Sequence, residues 1–210
     1  MRTFHLSIGS ADMKKLLLFA GFLLILFPLS AQIDTELLAL NESRLQLNKT
    51  NMWVLGGWAV GNMAVSGILR SQTTGSTRYF HEMNAIWNVV NLGLAAGGLY
   101  GSYTADPAAF GLWETFAEQQ KLEKILLFNL ALNFTYMTAG GYMIERSKNT
   151  TNRPERLKGY GQSLLLQGGF LLLFDTTQYL LHHNNAHSDL QRLIDGLTVS
   201  GNGIGLTFMF

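Results

Sequence analysis

Residues 84–102 read NAIWNVVNLGLAAGGLYGS. These 19 residues carry no charge, and about 20 residues of helix cross a bilayer core. His81, Asn84, Asn88 and Asn91 are spaced three, four and three apart. That spacing puts them on one helical face, which Ala95 and Gly98 continue. A long uncharged helix with a stripe of amides is the signature of a membrane span that turns a polar side toward its neighbours.

Three further stretches share the pattern: 52–70, 123–144 and 161–181, of 19, 22 and 21 residues. The first offers Asn62 and Ser66, the third Asn129, Asn133 and Tyr136, and the fourth Asp175, Gln178, Tyr179 and His182. The expected fold is all-α: a polytopic membrane four-helix bundle with short external amphipathic helices. Composition agrees. Hydrophobic residues make up 48% of the 210-residue chain and charged residues 14%, against roughly 25% charged in a typical soluble domain. The net charge of +1 gives no broad basic surface, so nucleic acid is not an expected partner. The absence of cysteine excludes disulfides, thiolate metal sites and cysteine nucleophiles.

Ahead of the spans, Met13-Lys14-Lys15 precedes the apolar run 16–27, and Pro28-Leu29-Ser30-Ala31 follows. A basic start, a short apolar middle and a small residue before the cut describe a secretory signal. Residues 1–31 are therefore expected to be a signal peptide, with Met13 a plausible start, and residues 32–210 a single membrane domain. The alternative is a retained first anchor. An exported Gln32 sends span 52–70 inward. The cytoplasmic side then receives Arg70, Arg78, Arg146, Lys148, Arg153, Arg156 and Lys158, and the external side Arg44, Lys49, Lys121, Lys124 and Arg192. Positive charge favours the cytoplasmic side. Both signals predict the same orientation, with the mature N-terminus and the C-terminus external.

Three external helices are expected outside the lipid. One carries Ile33, Leu37, Leu40 and Leu47. One starts at Asp106-Pro107 and carries Phe110, Trp113 and Phe116. One is capped by Ser188 and carries Leu190, Leu193, Ile194 and Leu197. They would form an anchoring lid, or a docking surface for an exported partner. The alternating tail Ile204, Leu206, Phe208, Phe210 suggests a short strand or an interfacial segment rather than a barrel, which would need many such strands.

Depth along each span follows from the roughly 1.5 Å rise per residue. Asn62, Asn91 and Asn133 lie within two residues of their span midpoints. Asp175 lies four residues beyond its own, about 6 Å toward the outside. Asn129 shares that depth and is its expected partner. A carboxylate in a membrane core is a functional candidate by default, while buried amides also serve as interhelical cohesion. The candidate polar seam is Asn62, His81, Asn84, Asn88, Asn91, Asn129, Asn133, Asp175, Gln178 and Tyr179. His182, His183 and His187 form a candidate metal set, with metal-activated water as the chemistry it would supply. No cofactor is called for, and neither a phosphate loop nor a serine elbow is present. Each span also holds a glycine pair, at 56–57, 97–98, 140–141 and 168–169, which suits close helix packing and leaves room for oligomers.

Trp53-Val-Leu-Gly-Gly-Trp58 and Arg78-Tyr-Phe-His-Glu-Met-Asn-Ala-Ile-Trp-Asn88, followed by Asn91, resemble an uncharacterised family of small four-helix inner-membrane proteins from the Bacteroidetes. That resemblance implies an inner-membrane location and supplies no activity or catalytic residue. Three functions follow from the residues. The first is binding or transport of an ion or small polar molecule along the Asn/Asp seam. The second is a structural or assembly role with an external docking surface. The third, the only enzyme among them and the less favoured class, is a membrane-embedded metal-dependent hydrolase.

Overall fold

The computed structural model describes residues 10–195, 197–200 and 203–206, and the side chains of Lys15 and residues 35–184. Four helices dominate: α1 (Ser10–Gln72), α2 (Gly75–Thr104), α3 (Leu112–Lys148) and α4 (Pro154–Asp195). A one-turn 3-10 segment, Pro107–Ala109, interrupts the α2–α3 connection. The tail forms a two-stranded antiparallel hairpin, β1 (Leu197–Ser200) and β2 (Gly203–Leu206), in which Leu197 faces Leu206. Phe208 and Phe210 lie outside the described residues.

The expected external helices are not separate elements. Leu37, Leu40 and Leu47 belong to the 63-residue α1, Trp113 and Phe116 to α3, and Ser188 lies inside α4 rather than capping a new helix. No breaker separates these segments from their spans, and extending an existing helix avoids the cost of a new nucleus. Leu197 opens a strand instead of closing a helix. At Asp106-Pro107 the start is real but short. The Asp106 carboxylate accepts a hydrogen bond from Ala108 N at 3.0 Å, yet only one 3-10 turn follows. Phe110 then sits outside α3, which begins at Leu112.

The helices run up and down with two tight turns at one end. α1 reaches α2 through Thr73-Thr74, with Gly75 at φ +61°, and α3 reaches α4 through residues 149–153. Pro154 opens α4, where its missing N–H costs nothing. α1 packs along α2, α2 along α4, and α4 along α3. Among the described residues α2 and α3 make no backbone contact, so α3 packs on α4 and leaves a backbone gap beside α2 that Trp87 and Tyr136 bridge edge-on.

Polarity is inverted relative to a water-soluble bundle. Among the described residues, six apolar and sixteen polar or charged residues are buried. Val60, Val65, Ile86, Val89, Phe128, Phe134 and Leu173 stand more than half exposed. Among the described residues, two helices, Thr35–Gln72 and Pro154–Asn184, are long and apolar enough to cross a membrane by length and composition. α2 and α3 fall short of that measure because their amides and hydroxyls dilute their apolar content.

One glycine of each pair packs and the other looks outward. Gly98 meets Met52, Gly140 meets Gly161, and Gly168 meets Met137, while Gly57, Gly97, Gly141 and Gly169 have open space. At the two-turn end, Glu82 accepts both Arg70 Nε and Nη2, at 3.2 and 2.9 Å, and the Tyr160 hydroxyl at 2.6 Å. This clasp joins the end of α1 to the starts of α2 and α4. The Tyr160 hydroxyl, and after it Arg70, hold the Glu82 carboxyl below the usual glutamate range. A carboxylate lowered in the folded state contributes stability above its unfolded pKa and loses it as pH falls through the folded value. Tyr160→Phe should therefore cost about 0.5–1.5 kcal/mol at pH 7. The difference from wild type should shrink as pH falls through the lowered folded value and Glu82 protonates. Unfolding titrations at pH 7 and pH 3 check both signs.

Candidate functional site

The seam expected from the sequence divides into two constellations. The first is closed. Gln167 on α4 is fully buried and sits where α1, α2 and α4 meet. Its Oε1 accepts from Trp58 Nε1 at 3.1 Å and from Asn91 Nδ2 at 3.4 Å, and its Nε2 donates to Asn84 Oδ1. Asn84 Nδ2 donates in turn to Asn62 Oδ1 and Ser66 Oγ, both at 2.8 Å. Asn88 donates to the Asn84 carbonyl at 2.7 Å, and Asn62 to the Trp58 carbonyl at 2.8 Å. His81 ends the chain, its Nδ1 sharing a 3.4 Å hydrogen bond with Ser66 Oγ. Trp58 also stacks flat on Phe170 at 3.8 Å between centroids. A polar group buried without a partner costs a few kcal/mol; here the amides satisfy one another.

The second constellation is open. Asn133 Nδ2 donates to Asp175 Oδ2 at 2.6 Å. Asn129 was the expected partner of Asp175, but Asn133 holds that position. α4 runs close to α3 there, with Gly168 lying against the Asn133 carbonyl and Met137, and this approach favours Asn133. Beside this pair lies a cavity of about 320 Å³, at the small end of ligand pockets, which run roughly 300–1,000 Å³. All four helices line it. Asn48 and Leu55 come from α1, Trp87 and Asn91 from α2, Asn129 and Tyr136 from α3, and Asp175, Gln178 and His182 from α4. Gln178 is 6% exposed and its Oε1 is buried without a hydrogen-bond partner; Trp87 Nε1 is in the same state.

The remaining predicted residues fall at the edges. Tyr179 stacks on His183 at 5.5 Å and does not line the cavity. His182 is buried, and its carbonyl accepts from Gln119 Nε2 at 3.1 Å. His183 Nδ1 lies 3.4 Å from Glu123 Oε1. The side chain of His187 lies outside the described residues. Among the described residues no three His, Asp or Glu are gathered to hold a metal ion. Next to this end, Asn41 is fully buried and donates to Thr115 Oγ1 at 2.9 Å, tying α1 to α3.

Residues 54–176 match a family of unknown function, DUF6992. The chain belongs to that family. No curated protein and no solved structure matches it. The DUF6992 segment takes in the whole Gln167 network and the Asn133–Asp175 pair, and ends before Gln178 and His182. Sequence reading missed Gln167 and Trp58. Both had a signal: Gln167 lies eight residues before Asp175 and eleven before Gln178 on one face of α4, and Trp58 lies four before Asn62 and eight before Ser66 on one face of α1. In this DUF6992 protein the amide nearest the three-helix junction, rather than the carboxylate, organises the seam.

Proposed function

We propose that this DUF6992 protein is a four-span integral protein of the bacterial inner membrane that binds a small ligand, an ion or a polar molecule, in the cavity beside Asp175. The observation that carries the reading is the buried, partnerless Gln178 Oε1 in a cavity where, among the described residues, Asp175 is the one carboxylate and no lysine or arginine stands on the wall. A site used only for cohesion would have no reason to leave such a group unpaired.

The inverted polarity supports lipid as the medium. In water, a core of amides wrapped in exposed valine, isoleucine and phenylalanine would lack the hydrophobic drive to close. In hydrocarbon, the same amides must face one another. Orientation follows the charges. Arg70, Arg78, Arg146, Lys148, Arg153, Arg156 and Lys158 gather at the two-turn end, which is then cytoplasmic. The cavity lies between mid-membrane and the opposite, external face. A cleaved leader fits as well. Within the continuous α1, the centres of runs 16–27 and 52–70 are roughly 60 Å apart by helical rise. That is about twice a bilayer core, so one straight helix cannot hold both in one membrane. Because the chain has no cysteine, single cysteines report sidedness cleanly. Trp113→Cys should react with an impermeant maleimide from outside the cell, and Thr151→Cys should not.

The cohesive role belongs to the closed Gln167 network. The metal-hydrolase reading has nothing to rest on among the described residues. Native mass spectrometry of protein extracted in lipid discs tests the ligand reading. The wild type should retain a bound small molecule, and a folded Asp175→Asn variant should lose it. Equal retention in both, or none in either, would sink the proposal.

A further inference from the structure

The wall of the cavity is not closed on every side. Val90 and Leu94 of α2 and Ile125 of α3 line it, yet they are 59%, 62% and 48% exposed. They belong both to the cavity and to the outer surface, at the gap where α2 and α3 make no backbone contact. If the protein spans the bilayer as proposed above, that gap faces lipid chains and not water.

The lining is also divided in chemistry. Leu122, Leu126, Leu132, Leu171 and Phe174 give an apolar floor. Asp175, Gln178 and Asn129 supply the polar side, where Asp175 Oδ2 takes one hydrogen bond from Asn133 and Gln178 Oε1 takes none. The unmet need on that side is for donors, and one wall group is acidic, while the other orphan lining atom, the donor Trp87 Nε1, belongs to α2. Among the described residues His182 is the only lining residue that can carry positive charge. A ligand matched to this wall presents N–H donors, ideally charged, at one end and an apolar body at the other. Trp87 and Tyr136, in edge-on contact at 4.7 Å, offer aromatic surface beside the position of such a cation.

We infer that the ligand is a membrane-dissolved amphiphilic amine. It enters sideways between α2 and α3, places its ammonium against Asp175 and Gln178, and leaves its apolar body along α3. This inference rests on the proposed ligand-binding role and adds to it the class of ligand and the route.

The test uses a photoreactive decylamine carrying a diazirine in its chain, with the full-length protein in lipid discs. Saturable labelling of cavity peptides from α3 and α4 is expected. Unlabelled decylamine should compete, and decanoate should not. Asp175→Asn should weaken half-saturation about tenfold, as loss of a charge-assisted hydrogen bond requires, and Asp175→Glu should recover most of it. Val90→Trp with Ile125→Trp, at the gap and away from the carboxylate, should slow labelling while leaving the circular dichroism spectrum unchanged. Equal competition by decanoate, or indifference to Asp175→Asn in a folded variant, would overturn the amine while leaving a ligand site in place. Unchanged labelling kinetics in the tryptophan variant would overturn the lateral route. No saturable labelling by amine, acid or alcohol probes of the same chain length would overturn the site itself.

Discussion

Gly159→Ala is expected to give the largest loss of stability of any single-methyl change in the helical region. A Cβ at this position would collide with the Ser76 carbonyl oxygen and come within 2.6 Å of Phe80 N and 2.7 Å of Tyr79 Cβ. Two of the three obstacles are backbone atoms, which cannot rotate aside as a flexible side chain does. The starts of α2 and α4 must separate, and the Glu82–Tyr160 hydrogen bond of 2.6 Å stretches with them. Overpacking of this kind costs roughly 1–3 kcal/mol, and backbone obstruction places it at the upper end. The neighbouring approach of α3 to α4 follows the same logic, since a Cβ on Gly161 would lie 2.5 Å from the Gly140 carbonyl oxygen. Gly141→Ala supplies the control. Nothing lies within 4 Å of its added methyl, and alanine is the better helix former by about 0.5–1 kcal/mol. Reversible unfolding in mixed micelles should therefore show Gly159→Ala destabilised and Gly141→Ala unchanged or improved. Equal behaviour of the two would refute the close contact of α2 with α4.

Gln167→Leu is expected to damage the junction of α1, α2 and α4 without altering its volume greatly. It leaves Trp58 Nε1, one Asn91 donor and Asn84 Oδ1 without their present partner. A buried polar atom stranded in this way costs about 1–3 kcal/mol. Measured hydrogen bonds between membrane helices average nearer 0.6 kcal/mol, because the separated helices also find partners. A net loss of about 2–4 kcal/mol reflects three stranded groups discounted by that effect. Asn62→Ala should cost clearly less, since Asn62 is only partly buried and Asn84 keeps its bond to Ser66. The fluorescence of Trp58 gives a second readout, because its indole loses both a hydrogen bond and, if the helices shift, its flat stack on Phe170. Stability of Gln167→Leu equal to wild type would show that the network contributes nothing to cohesion.

The amide stripe His81, Asn84, Asn88, Asn91 was legible because helical period and polarity coincide in a charge-poor segment, and the structure buries all four. The carboxylate Asp175 was legible for the same reason. Its partner was not. Depth arithmetic places Asn129 level with Asp175 only if α3 and α4 begin at the same height and run parallel to the membrane normal. The approach of Gly140 to Gly161 sets their actual offset, and it brings Asn133 forward. The external helices were misjudged as separate pieces because amphipathic pattern marks which face is apolar, not whether the helix is interrupted.

The sequence by itself determined four long helices, their up-and-down order and the residues whose polarity demanded company. Those are local properties, set by side-chain period and by the scarcity of charge along each helix. Only the tertiary structure decided that one half of the seam closes on Gln167 while the other opens onto a cavity. That division depends on how far apart the helix axes stand, and glycines at three crossings fix those distances through contacts between residues remote in the chain.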